Sequence, residues 1–506
     1  SYLDPTSSGK LEKDQQGTAD TFTYNYWSSP VGVSNNSTNN NSYKLPNIIT
    51  NVGFLTSGYN GTSSPVKNAD YWIWKFANKL SNDYASWQHV RSTGTLLVGE
   101  GFTMKGPGTG SILTNQNYVL LGKPNNGDVN LTISAGNDYL VGNPYPSAMD
   151  ANQFILDNGA TIAGAGSTTG TLYFWEHWGG GSHILKEYQG GYATYSLIGG
   201  TPAASMGTND PDVGTGGTPT KTPGRYIPVA QGFFVTAETG GTVKFNNGQR
   251  IFEKEGSSTS VFVKSANTKN AKTSNSLQEN DTRLKLRVGF NSINKIHRQL
   301  LIAADSRTTS GYDWGYDAPS IDAQMDDMYW IIDSKKYSIQ GIEKIDNQTI
   351  IPLGIHTKNS GLNTITIDKL ENVPNNLNIY IHDKELSIYH DLRQNNYEFY
   401  LNAGQFLDRF EMTFSEAMPL NTDNFENTSI QVYFSNEKES IIINNPEVKN
   451  IESTEIFNVL GQSIFKFITS TNKNYTAYKT EQISAGTYVI KLKTDNGLLS
   501  KKVLIK

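Results

Sequence analysis

The chain has 506 residues, a net charge of −5 and no cysteine. That length calls for several domains at roughly 150 residues each, and the slight acidity argues against nucleic acid as the main partner. The missing cysteine excludes disulfides, thiolate metal sites and a cysteine nucleophile, and no run of about 18 apolar residues is present to span a membrane as a helix.

Glycine, Asn, Ser, Thr and aromatic residues are abundant, a mixture suited to strands and tight turns. No long stretch carries helical periodicity, so the expected fold is all-β. The chain opens at Ser1 in mid-pattern, without Met and without an apolar leader in "SYLDPTSSGKLEKDQQ". The expectation is therefore a piece of a longer chain.

Residues 1–263 form a first block rich in Gly and aromatic residues. Short apolar runs recur through it: "TFTYNYW" (Thr21–Trp27), "YWIWKF" (Tyr71–Phe76), "YVLLG" (Tyr118–Gly122), "TLYFWEHW" (Thr171–Trp178) and "RYIPVAQGFFVTA" (Arg225–Ala237). Turn-formers separate them, which predicts a sandwich or jelly-roll-like domain. "GEGFTMKG" (Gly99–Gly106) echoes "AQGFFVTA" (Ala230–Ala237), but two copies are too few for a solenoid. Residues 264–282 are polar and aperiodic and are expected to be a linker.

Residues 283–416 resume the strand pattern, with Leu284, Leu286 and Val288 on one face of the first strand, and predict a second β-sandwich. A second polar connector follows at 417–429. Residues 430–506 alternate strands with tight turns. Tyr488, Ile490 and Leu492 share one face, Lys491 and Lys493 the other, and Asp495-Asn496-Gly497 supplies a hairpin turn. Counted from Ile430, ten Lys face seven acidic residues, so this block is mildly basic. Its size suits a small seven-strand sandwich.

This last block resembles the type A C-terminal sorting domain of type 9 secretion cargo from Bacteroidota. The matching residues are "IFNVLGQSI" (Ile456–Ile464), "ISAGTYVIKLKT" (Ile483–Thr494) and "GLLSKKVLIK" (Gly497–Lys506). The Pro-Asn-Pro frequent near the start of that domain is replaced here by "FSNEKESIIINNPE", which leaves the place of its first strand open. The resemblance implies export through the periplasm to the cell surface or medium. It implies a PorV-type shuttle protein and a SprA-type translocon barrel as partners, and lipopolysaccharide as a possible later attachment. It also points to Gly461, Gly486, Tyr488, Gly497, Lys501 and Lys502 as recognition residues, although the glycines have turn roles as well and surface Lys also protects strand edges. Upstream, "YNYWSSPVG" (Tyr24–Gly32), "LVGNPYPSAMD" (Leu140–Asp150), "GYDWGYDAPSID" (Gly311–Asp322) and "NAGQFLDRFEMTF" (Asn402–Phe414) resemble the regions that precede the sorting domain in large flavobacterial surface proteins.

Few residues point to chemistry. "TLYFWEHWGGGSH" (Thr171–His183) gathers Glu176, His177 and His183 beside two Trp. His and carboxylate suit a metal and Trp faces suit a sugar, but the spacing fits no zinc signature. Alternation places Tyr173, Trp175 and His177 on one strand face and Phe174, Glu176 and Trp178 on the other, and ordinary sheet packing is favoured. Asn209, Asp210 and Asp212 offer hard oxygen atoms for calcium, with an Asx turn as the plainer reading. The Asp-rich stretch Tyr312–Asp327 offers a similar calcium possibility, with a solvated loop as the favoured reading. No nucleophile elbow or P-loop is present.

The expectation is a secreted surface protein without catalytic activity, adhesin-like or gliding-associated, needing no cofactor besides a possible calcium. The alternative is an exported polysaccharide-acting hydrolase or a carbohydrate-binding protein. The hydrolase requires a cleft with two facing carboxylates. The carbohydrate-binding protein requires an exposed row of aromatics such as Trp175 and Trp178.

Overall fold

The computed structural model describes residues 6–35, 38–80, 83–159, 166–205, 216–256, 259–264, 281–322, 324–416, 430–435, 438–468, 471–479, 483–495 and 497–505. The architecture is all-β, with one α-helix among the described residues, Ala151–Asp157. The chain divides into two compact units. The first comprises Ser1–Arg287, His297–Gln324 and Ile332–Glu343; the second comprises Val288–Ile296, Met325–Ile331 and Lys344–Lys506. Of the two expected linkers, residues 265–280 and 417–429 lie outside the described residues.

The first unit is organised around a six-stranded sheet. Its strands run in the order Gly199–Thr201, Gln189–Ser196, Leu172–Gly179, Gly232–Thr236, Asn137–Gly142 and Lys79–Leu80. Successive side chains on a strand point to opposite faces, and here both faces are apolar. One face buries Leu172, Phe174, Tyr195, Phe233, Val235, Tyr139 and Val141 together with Phe154 and Ile155 of the helix. Asp150 caps that helix by accepting from the Asn152 amide at 3.0 Å. The other face carries Tyr173, Trp175, Phe234 and Leu140, joined by Tyr26 and Phe76. Because both faces are covered, the strands read as near-continuous apolar runs rather than as alternation. The strand Val129–Ser134 behaves in the opposite way. It buries Val129, Leu131 and Ile133, exposes the residues between them, and pairs with Gly240–Phe245.

The second unit holds a run of antiparallel strands in the order Ile388–Asp391, Tyr380–Asp383, Gly404–Thr413 and Ile350–Thr357. Its C-terminal part is a sandwich of two sheets. Gln431–Ser435, Ser440–Asn444 and Tyr475–Lys479 form the first; Ser463–Phe467, Ile451–Asn458, Gly486–Thr494 and Gly497–Ile505 form the second. Ile441 and Ile443 of the first meet Ile456, Tyr488, Ile490, Leu492 and Val503 of the second in one core.

Candidate functional site

The aromatic face of the six-stranded sheet forms the floor of a cavity of about 590 Å³. Tyr173, Trp175, Tyr192 and Phe234 rise from its strands, and Tyr24 and Tyr26 come from the strand Tyr24–Trp27. The run Tyr71–Phe76 contributes Tyr71, Trp72, Trp74 and Phe76, and Tyr84 and Trp87 close the rim. Tyr71 and Trp72 lie in a 3-10 turn, Asp70–Trp72. That turn breaks the alternation and lets neighbours in sequence reach the same space. The rings pack edge to face, as at Tyr26–Phe234 (5.9 Å) and Phe76–Trp87 (5.4 Å), the arrangement that ring quadrupoles favour.

Behind one wall lies Lys105, only 2% exposed. Its Nζ sits 3.6 Å from the ring centre of Trp72 and 4.6 Å from those of Tyr24 and Tyr188. It donates to the Tyr188 hydroxyl at 2.6 Å and to His183 Nδ1 at 3.1 Å. His183 donates from Nε2 to Asn60 Oδ1 at 2.6 Å and stacks on Trp72 at 4.6 Å. Burial pushes the Lys105 amine down to about 6, and Asp20 acts against that shift. Burial and the nearby Lys105 charge hold His183 down at about 4. One lysine thus ties together four rings of the cavity wall, those of Trp72, Tyr24, Tyr188 and His183, through its two hydrogen bonds and its contacts with the ring faces.

The acidic residues on the cavity are Asp83, Asp138 and Asp322. Each is engaged in the wall itself. Asp83 accepts from the Ala85 amide at 3.2 Å and from the Ser86 hydroxyl, Asp138 accepts from Thr236 Oγ1 at 2.7 Å, and Asp322 accepts from the Tyr192 amide at 3.4 Å.

The constellation expected around residues 171–183 is split by the strand. Tyr173, Trp175 and His177 share the cavity side of the sheet, and the register slips between His177 and Gly179. His177 accepts the Tyr24 amide on Nδ1 (3.1 Å) and donates from Nε2 to the Gly179 carbonyl (2.8 Å). Glu176 faces away, fully buried, and accepts the Thr220 and Lys221 amides at 2.9 and 3.0 Å. Trp178 donates to the Gly216 carbonyl at 2.7 Å. Trp175 is 7% exposed, so Trp175 and Trp178 form no exposed row; the aromatic surface is the cavity instead. Among the described residues no group of three His, Asp or Glu is placed to hold a metal. Asn209, Asp210 and Asp212 lie outside the described residues. The Asp-rich stretch is not a solvated loop: Asp317, Asp322, Asp326 and Asp327 are all buried, and Asp317 accepts the Asp313 and Gly341 amides at 2.6 and 2.7 Å. Burial raises it to about 7.

In the C-terminal sandwich the expected recognition residues fall into three groups. Gly461 (φ +76°) and Gly497 (φ +123°) occupy the left-handed region at turns. Gly486 opens the strand Gly486–Thr494, in which Tyr488 is buried and donates to the Ser484 carbonyl at 2.8 Å. Lys501 and Lys502 are exposed on the strand Gly497–Ile505, last in its sheet. Lys501 pairs with Ile490 and so takes the core-side position, an inward charge that discourages further pairing at an edge. Lys502 stands on the outer face opposite Val489.

A family model described as "Domain of unknown function (DUF8693)" matches residues 4–414. The chain belongs to this family. The match covers every residue that lines the cavity and nearly all of the two blocks expected ahead of the tail. A second model, "Secretion system C-terminal sorting domain", matches residues 429–506. The protein is accordingly type 9 secretion cargo, exported to the cell surface or extracellular space. A comparison with curated proteins found no match.

Proposed function

We propose that this protein is a non-catalytic, adhesin-like surface protein whose cavity in the DUF8693 region binds the end of a glycan. The observation that carries the reading is the aromatic cavity of about 590 Å³, within the range that holds a small molecule or a short oligosaccharide. Sugar rings present apolar C–H faces and hydroxyl rims, and Trp and Tyr match them with an apolar ring and a polar tip. Engagement of the three cavity carboxylates in the wall supports a binding role over hydrolysis. A PorV-type shuttle, a SprA-type barrel and surface lipopolysaccharide remain the proposed export partners, and a gliding-associated role fits the same surface location.

The test is a glycan array followed by calorimetry on the full chain. Trp74→Ala and Trp87→Ala should each weaken the selected glycan at least tenfold, since both rings line the cavity and are only half-buried, and a thermal melt of each variant separates lost contact from lost fold. No binding to any glycan would end the reading. Release of new reducing ends from a bound polysaccharide would replace it with the hydrolase.

A further inference from the structure

The sorting domain rests on a built feature of the chain ahead of it within the second unit. The strands Tyr380–Asp383 and Ile388–Asp391 form a hairpin whose tip is residues 384–387. Asp383, fully buried, locks that tip: one carboxylate oxygen accepts the Glu385 and Leu386 amides at 3.1 and 3.2 Å. Arg409 holds the same carboxylate bidentately at 3.0 and 2.7 Å and also pairs with Glu385 at 2.7 Å, and the Tyr397 hydroxyl donates to it at 2.9 Å. A bidentate, buried pair of this kind fixes geometry as well as charge.

With the tip locked, two of its carbonyls are acceptors for the tail. Lys491 Nζ donates to the Glu385 carbonyl and Ser500 Oγ donates to the Leu386 carbonyl at 3.0 Å. Lys491 and Ser500 are cross-strand partners on the outer face of the terminal hairpin. A second segment grips from another side. The Tyr400 amide donates to the Leu460 carbonyl, and a Cβ on Gly461 would lie 3.6 Å from Leu386 Cδ1 and 3.9 Å from Arg409 Nη2. Leu386, an apolar residue at a hairpin tip, is only 5% exposed.

We propose that the 384–387 tip is a docking knob for the sorting domain, so that the tail and the β domain before it are presented to the export machinery as one body. The occupied patch is Lys491, Ser500 and the Leu460–Gly461 turn. Lys502 and Leu504 stay exposed farther along the same strand as the part of this face open to a receptor. This inference is independent of the glycan reading.

Because the chain has no cysteine, spin labels placed at Asp408→Cys and Lys493→Cys report one distance without background. Both sites are exposed. The expected result on the full chain is a single narrow distance distribution that broadens severalfold in Leu386→Asp and in Lys491→Glu. The second variant changes only the tail, so it remains informative if the first fails to fold. A broad distribution in the unsubstituted pair, or a narrow one that persists in Lys491→Glu, overturns the proposal.

Discussion

His177 shows how burial sets chemistry at a single residue. Its Nδ1 faces an amide N–H and its Nε2 faces a carbonyl, so the neutral ring is fully satisfied and a second proton has no acceptor. Burial, the Lys105 charge and, in the opposite sense, the bond to Gly179 place it at about 3, against an ordinary 6.5. The unfolded chain therefore binds one more proton than the folded chain between those values, and stability falls as pH drops from 6.5 towards 3. The loss approaches about 1.4 kcal/mol for each pH unit. Asp20 and Glu176, both raised by burial, work in the opposite sense, so the His177 share is read by difference. His177→Gln, which can accept from Tyr24 and donate to Gly179, should flatten the slope of melting temperature against pH in thermal melts. A slope unchanged by the substitution would show that His177 does not set it.

Among the elements, the pairing of Leu172–Gly179 with Gln189–Ser196 decides the shape of the cavity floor. His177 stands opposite Gly190 and Trp175 opposite Tyr192. A Cβ on Gly190 would lie 2.4 Å from Trp175 Cζ2 and 2.8 Å from the Glu176 carbonyl. The indole must move, and the backbone oxygen cannot follow without breaking the ladder. Gly190→Ala should cost about 1–3 kcal/mol, the usual range for overpacking, and, on the proposed glycan reading, should weaken glycan binding because Trp175 is displaced. Chemical denaturation and calorimetry on one preparation check both effects. An alanine that leaves stability unchanged would mean that this strand pair is looser than its register implies.

For the whole molecule, export is set by the C-terminal sandwich. A chain ending before residue 430 should accumulate in the periplasm, while the full chain reaches the surface or the medium; fractionation of producing cells distinguishes these. Lys501→Ala with Lys502→Ala tests recognition apart from folding, because neither side chain belongs to the Ile441–Ile490 core. Retention of this folded variant in the periplasm is the expected outcome. Normal export would assign the two lysines to edge protection alone.

The all-β class and the sorting tail were legible from the amino acids alone. Alternation of apolar and polar residues reports a strand with one wet face, and the tail's motifs are contiguous stretches, so both signals are local. The opposite faces of Trp175 and Glu176 followed from period two for the same reason. The cavity was not legible. Its rings come from Tyr24, the 71–76 run, Trp87, Trp175, Tyr192 and Phe234, and a sheet buried on both faces writes no alternation from which a cavity side could be told from a core side. The run "YWIWKF" and the Lys in "GFTMKG" were visible as text, but only the long-range pairing of distant strands places Lys105 against Trp72. Local sequence determined which segments are strands and where the chain is sent; strand order, which is set by non-local pairing, decided which aromatic residues meet.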